Sequence, residues 1–186
     1  MVLTSPGGSM SSTLLLEKNE MARILDRLAS QVLERHAGCE NVMLVGIQRR
    51  GADLARRLAE RIEARLNAPA SLGTLDINLY RDDWTSLEGK PHIGQSRIPG
   101  SVDQRVIILV DDVLFSGRTI RAALEALLDY GRPRAVELLV LIDRGHRELP
   151  IHADYVGRVI HTSRHEHVDV LLEERDGEDA VRLSGQ

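Results

Sequence analysis

Residues 105–119 read RVIILVDDVLFSGRT, and this stretch decides the fold. Val106 to Val110 form an unbroken apolar run, rich in β-branched side chains, that ends in two carboxylates, Asp111 and Asp112. A run of this kind without alternation predicts a strand buried on both faces, as in a parallel sheet. Open α/β sheets bind ligands at the carboxyl ends of such strands. At that end Ser116-Gly117-Arg118-Thr119 opens a helical pattern. Gly117 lets a ligand approach the backbone closely. Ser116 and Thr119 bring hydroxyls, and the first helical turn brings unpaired N–H groups and a positive dipole end, so a phosphate fits there. Ionised carboxylates only accept hydrogen bonds and suit sugar hydroxyls or a hydrated cation. Successive strand residues point to opposite faces, so Asp111 and Asp112 are not expected to share a proton. Rival nucleotide motifs fail. No Gly-x-Gly-x-x-Gly follows a strand, and the Walker-like spacing of Gly46 and Gly51 continues into Ala52-Asp53 instead of Lys-Ser/Thr.

Working outward, Val42 to Ile47 predicts a second buried strand, leading into Gly46-Ile47-Gln48-Arg49-Arg50-Gly51 and a helix from Ala52 to Leu66. Two arginines between glycines, at a strand end and before a helix, predict a diphosphate site. Leu54, Leu58, Ile62 and Leu66 form the inner stripe of that helix, while Arg57, Arg61 and Arg65 are expected to be a solvated face. Leu75, Ile77 and Leu79 alternate with polar residues, which predicts a half-exposed strand. The polar stretch from Arg81 to Gly100 is too long for a mere connector and is expected to be a lid. Asn19 is placed to cap a helix running to about His36, with Met21, Ile24, Leu25, Leu28 and Val32 on one face. The helix after Gly117 should run to Tyr130, stopped by Gly131 and Pro133, and Ala135 to Ile142 should be another buried strand. Val168–Leu172 and Ala180–Leu183, joined through Asp176-Gly177, suggest a hairpin. His161, His165 and His167 lack the partners of a convincing metal-ligand spacing.

The chain has 186 residues, enough for one domain with a real core. Its net charge of −4 gives no global attraction to RNA or membrane, so any nucleic-acid contact needs a local basic patch. The five aromatics (one Trp, three Tyr, one Phe) are too few for a base-stacking platform. Cys39 is the single cysteine, which fits a reducing, cytoplasmic setting. No apolar run reaches membrane-spanning length. Residues 1–13 lack the features of a signal peptide and are expected to be a flexible tail before a single domain over 14–186.

The stretch 105–119 resembles the phosphoribosyl pyrophosphate (PRPP) signature of type I phosphoribosyltransferases. VGIQRRG, LDINLYRDD, ILVDDVLFSGRT, YGRPRAVEL, DRGHRELPIHADYVG and TSR, in this order, sharpen the resemblance to the PyrR family of pyrimidine-operon attenuation regulators with uracil phosphoribosyltransferase activity. The resemblance covers about residues 14–183. It implies an α/β type I phosphoribosyltransferase fold: a mainly parallel sheet flanked by helices, a small hood over 143–183, and a homodimer or higher homo-oligomer. It implies conversion of uracil and PRPP to UMP and pyrophosphate, with Mg²⁺ entering on the PRPP pyrophosphate and no direct protein ligands to the metal. It also implies UMP-responsive binding to a leader RNA hairpin. Asp111, Asp112 and Arg81 would carry catalysis. Asp111, Asp112, Val113, Leu114, Phe115, Ser116, Gly117, Arg118 and Thr119 would hold the ribose phosphate. Arg49 and Arg50 would hold the pyrophosphate, on a loop that in this family often has a non-proline cis peptide. Asp143, Val159 and Ile160 would lie by the base, and Arg27, Arg144, His146, Arg147 and Arg158 would face RNA. Arg49 stands where the family usually has threonine. Asp26, Ser30 and His152 remove hydrogen-bonding or positive groups from the presumed RNA face. The competing reading is a type I phosphoribosyltransferase for another nucleobase, without RNA regulation.

Overall fold

The computed structural model describes residues 12–82 and 94–185. The expected tail up to residue 11 and lid residues 83–93 lie outside the described residues. Elements run in the order β1 (Ser12–Glu17), α1 (Lys18–His36), β2 (Val42–Ile47), α2 (Arg50–Leu66), β3 (Ser71–Leu75), a 3₁₀ turn (Asn78–Tyr80), β4 (Val106–Leu114), α3 (Arg118–Leu128), β5 (Ala135–Asp143), β6 (Tyr155–Val159), β7 (His167–Leu171), α4 (Glu173–Asp176) and β8 (Ala180–Ser184).

Five strands form a wholly parallel sheet in the order β3-β2-β4-β5-β6. The unbroken apolar runs of β2, β4 and β5 occupy its centre because both faces are covered. On one face Leu44, Ile108, Val110 and Leu139 pack against Leu25, Leu28, Leu54 and Leu58 of α1 and α2. On the other, Met43, Val45, Ile107, Leu109 and Val140 pack against Ile120, Ala123 and Leu127 of α3. Neighbouring residues of one strand thus serve opposite cores, and each fully buried aliphatic side chain contributes about 1.5–3 kcal/mol. Close helix-to-sheet approach needs Gly51: a Cβ there would lie 2.4 Å from the Val110 carbonyl oxygen.

A second, antiparallel sheet, β1-β8-β7, forms the hood. It corrects three expectations. Ser12 and Thr13 belong to β1 instead of a tail. The hood takes this first strand, whereas β6 joins the main sheet. Glu17, not Asn19, caps α1, through a reciprocal capping box with Glu20. The expected hairpin is present as β7 and β8, with α4 at its tip. The half-exposed strand around Ile77 is also corrected. The strand is β3, which ends at Leu75. The Asp76 carboxylate then accepts from the Asn78 N–H at 2.9 Å, a local bond that favours a turn over continued pairing.

Candidate active site

The site exists because β4 outruns β2. Pairing between them ends at Gly46 and Val110, but β4 continues beside β5 to Leu114 and Asp143. Beyond Val110 one edge of β4 therefore faces a cleft of about 390 Å³. Asp111, Asp112 and Val113 line it from β4, and Thr119 from α3. Ile47, Gln48, Arg49 and Arg50 line it from the β2–α2 loop, with Ile77, Asn78 and Arg81 beyond β3. The Gln48–Arg49 peptide is cis, as the resemblance implied. Gln48, Ile77 and Asn78 were not singled out from sequence: Gln48 sits in the loop beside the two arginines without their charge, and Ile77 and Asn78 read as part of a half-exposed strand that in fact ends at Leu75.

The acidic pair behaves differently from the expectation of opposite faces. Asp111 is buried (6% exposed) against Gly51, where an added Cβ would come within 3.3 Å of its carboxylate. Burial, then the Asp112 charge, push its carboxyl well above the ordinary range, while the Asp112 backbone N–H donates to the Asp111 carboxylate at 3.0 Å. Burial also raises Asp112, partly offset by N–H donation from Val113 at 2.9 Å and by the Arg50 charge. Adjacent strand residues share one end of the cleft here because β4 is free of β2 at this point. A buried carboxyl beside a half-buried one of like charge is a donor set that a hard cation or a cluster of sugar hydroxyls relieves.

The loop after β4 is held from behind. Gly117 has φ of +91°, a conformation L side chains rarely adopt, and an added Cβ there would press on Ile151 at 3.3 Å. Leu114 is buried, and the Arg144 guanidinium lies 4.3 Å from the centre of the Phe115 ring. These two residues support the loop, and together with Ser116, Gly117 and Arg118 they do not line the cleft. Arg118 turns outward to Asp82 (2.6 Å) and Glu148 (2.7 Å).

The β2–α2 loop that carries Arg49 and Arg50 is braced by the tip of the antiparallel sheet. Arg50 pairs with Asp176 at 3.0 Å, and Arg175 reaches buried Asp53 and the Arg49 carbonyl. Arg57, expected on a solvated face, instead binds Glu174 and Asp179 at 2.5 and 2.7 Å.

The residues expected near the base and RNA separate. Asp143 ends β5 and accepts from the Gly145 N–H at 2.9 Å. Ile160 donates its N–H to the Asp143 carbonyl at 2.8 Å, while Val159 is 59% exposed. Arg27 and Arg158 are exposed along the α1–β6 edge, Arg27 donating to the carbonyls of Val156 and Gly157 and Arg158 pairing with Glu20. Arg144, however, is only 5% exposed and donates to Thr162 Oγ1 and the Ser163 carbonyl. His146 Nε2 sits 2.7 Å from the Thr162 carbonyl oxygen. Arg147 is turned inward onto backbone carbonyls and Asp143. The expected RNA-facing set is therefore corrected for Arg144 and Arg147, whose donors are consumed inside the fold. Among the described residues no group of three or more His, Cys, Asp and Glu is arranged to hold a metal ion, and no helix is long and apolar enough to cross a membrane.

Known proteins share both this fold and this sequence. The phosphoribosyl transferase domain family matches residues 11–175. Hypoxanthine phosphoribosyltransferases superpose on the chain. That of Trypanosoma cruzi gives a TM-score of 0.69 at 16% identity, over 98% of this chain and 95% of that one. That of Staphylococcus aureus gives 0.65 at 20% identity, over 91% and 90%. An open parallel sheet with an acidic pair and an arginine loop meeting at its carboxyl end, under an antiparallel hood, defines a phosphoribosyltransferase of type I. Closer relatives are the bifunctional proteins PyrR of Caldicellulosiruptor bescii, 52% identical over 90% of this chain and 92% of that one, and of Streptomyces coelicolor, 52% identical over 92% and 89%. The chain belongs to the PyrR family.

Proposed function

We propose that this protein transfers the phosphoribosyl group of PRPP to uracil, giving UMP and pyrophosphate, and that UMP in the same cleft promotes binding to a pyrimidine-operon leader hairpin. The observation that carries the first part is the single cleft that joins Arg49, Arg50 and Arg81 to Asp111, Asp112 and Thr119. The arginines neutralise the diphosphate, whose negative charge grows as it leaves. Asp111 and Asp112 accept from the ribose hydroxyls and orient C1 of the sugar toward the base. The loop from Val113 to Thr119 meets the cleft at its two ends, Val113 and Thr119, and with the first turn of α3 holds the 5′-phosphate beside that cleft. Asp111 and Asp112 would accommodate a Mg²⁺ carried by the pyrophosphate, which would supply further charge neutralisation there. Asp143, Val159 and Ile160 border the base, and residues 81–100 exclude water. No covalent intermediate with the protein is needed, because positioning and charge stabilisation suffice. The name PyrR borne by the relatives supports the regulatory half, and exposed Arg27 and Arg158 supply cations for it.

The deciding experiment is a product assay with PRPP, Mg²⁺ and each nucleobase in turn. UMP from uracil alone is the expected outcome. A nucleotide formed from hypoxanthine or guanine in preference to UMP would establish the purine-base reading instead.

A further inference from the structure

We infer that Arg147 is the positioning residue of the 5′-phosphate loop: it orients the backbone that binds the phosphate, and its donors are not available to RNA. The inference rests on the cleft being the PRPP site. Arg147 donates through Nε to the Ile151 carbonyl at 3.0 Å. Its Nη1 donates to the carbonyls of Phe115 at 2.9 Å, Gly145 at 3.2 Å and Leu114 at 3.4 Å. Its Nη2 pairs with the Asp143 carboxylate. An arginine has five N–H donors in a rigid fork, and here that fork meets four backbone carbonyls and one carboxylate. With its side chain 18% exposed, it cannot engage a phosphate in solution without abandoning these partners.

The carbonyls it holds determine where the neighbouring amides point. In a trans peptide the C=O and the following N–H face opposite ways. Drawing the Leu114 and Phe115 carbonyls toward Arg147 turns the N–H groups of Phe115 and Ser116 away from it. The Ser116 carbonyl is likewise held, by the N–H groups of Glu148 (2.9 Å) and Leu149 (3.1 Å), which turns the Gly117 N–H the same way. Successive N–H groups facing one side form an anion-binding nest. Arg147 sets the Ser116 amide through the Phe115 carbonyl at 2.9 Å and shares the Phe115 amide with the Arg144 N–H, which donates to the Leu114 carbonyl at 3.1 Å. It also ties the nest to Asp143 at the end of β5, so the phosphate end and the base end of the cleft share one anchor.

Binding of two ligands to Arg147→Ala tests this, because only one of them uses the nest. UMP carries the 5′-phosphate; pyrophosphate is held by the Arg49–Arg50 loop. Calorimetry should show UMP affinity falling by about tenfold, equivalent to ~1.4 kcal/mol, with pyrophosphate affinity unchanged. Arg147→Lys keeps the charge beside Asp143 but loses the fork, and should show the same split at smaller amplitude, even where the alanine variant folds poorly. Equal loss of both ligands would mean a general structural role and would overturn the inference. So would wild-type UMP affinity in Arg147→Ala together with weakened hairpin binding. A wild-type protein that binds pyrophosphate but not UMP would defeat the functional reading itself, and this inference with it.

Discussion

Asp111 places a carboxyl in a buried corner beside the half-buried Asp112, and that arrangement costs the resting protein stability. Because the Asp111 pKa is raised, the folded protein binds more protons than the unfolded chain at pH values above the ordinary 3.8. Stability therefore falls as pH rises through that window. Asp111→Asn should raise the melting temperature at neutral pH and flatten this slope. It should also lower kcat/KM for PRPP by about ten- to a hundredfold, since a hydrogen bond to a charged group is worth ~1.5–3 kcal/mol. Melting curves at mildly acidic and neutral pH, alongside steady-state kinetics, check both; a neutral-pH melting temperature at or below wild type would refute the stability half. Glu137 has the opposite sign. Burial alone would raise it, but hydrogen bonds from Tyr155 and His36 and the Arg35 charge more than offset that, and its pKa is lowered. Its contribution is present above the ordinary 4.5 and is lost as pH falls through the folded value, so Glu137→Gln should flatten the acid limb of the same profile. At this scale sequence reading put Asp111, Asp112, Arg49, Arg50 and Thr119 at strand ends and loops, and the structure brings them to one cleft, because strand-end and loop chemistry are local. It missed the inward turn of Arg147, whose acceptors are mostly backbone carbonyls, two of them on a loop remote in sequence. Carbonyls have no side-chain pattern to read.

Among the elements, α4 has an importance out of proportion to its four residues. Its contacts with Arg50, Asp53 and Arg57 fasten the hood to the first turns of α2, next to the arginine loop. Arg57 is 15% exposed and Asp179 7%, and hydrogen bonds from Arg57 to Glu174 and Asp179 raise the Arg57 pKa. Arg57→Ala strands Asp179 in a poorly solvated place and should cost about 3 kcal/mol. Denaturant titration should record that loss, and hydrogen exchange should rise first in β7 and β8. Wild-type stability in the variant would show that the hood is held by its apolar contacts alone. The stripe of Arg57, Arg61 and Arg65 was legible as a charged face but not as a docking face. Its partners for Arg57 lie in the last hairpin, and a helical repeat says nothing about what arrives from the far end of the chain. The buried strands β2, β4 and β5 were legible because their apolar runs have one structural solution. β1 was not, since Ser12 to Leu14 are exposed and carry no burial pattern.

For the whole molecule, net charge and local charge point in different directions. A chain of charge −4 meets RNA only where cations are exposed together, and the α1–β6 edge presents Arg27 and Arg158. Asp26 on the same helix is engaged by Arg61 at 3.2 Å and Arg65 at 3.3 Å, so it does not oppose them as a free charge. Binding to a leader hairpin should weaken with salt, and Arg27→Ala with Arg158→Ala should reduce the slope of log affinity against log salt by about 1.4–1.8, since each phosphate contact contributes ~0.7–0.9. Titration of a labelled hairpin at several salt concentrations measures this; an unchanged slope would place the RNA elsewhere. If UMP strengthens the complex, the hairpin must strengthen UMP binding by the same factor. The pairing of β1 with β8, Ser12 opposite Ser184, has a consequence for how the protein is made. β1 is the first described strand to leave the ribosome, and it has no partner in its sheet until β8, the last, follows. The parallel sheet can assemble from β2 to β6 meanwhile, while the brace on the arginine loop waits. Newly synthesised chains should thus acquire their core before the arginine loop is braced, with the slow step being closure of the long chain between Ser12 and Ser184.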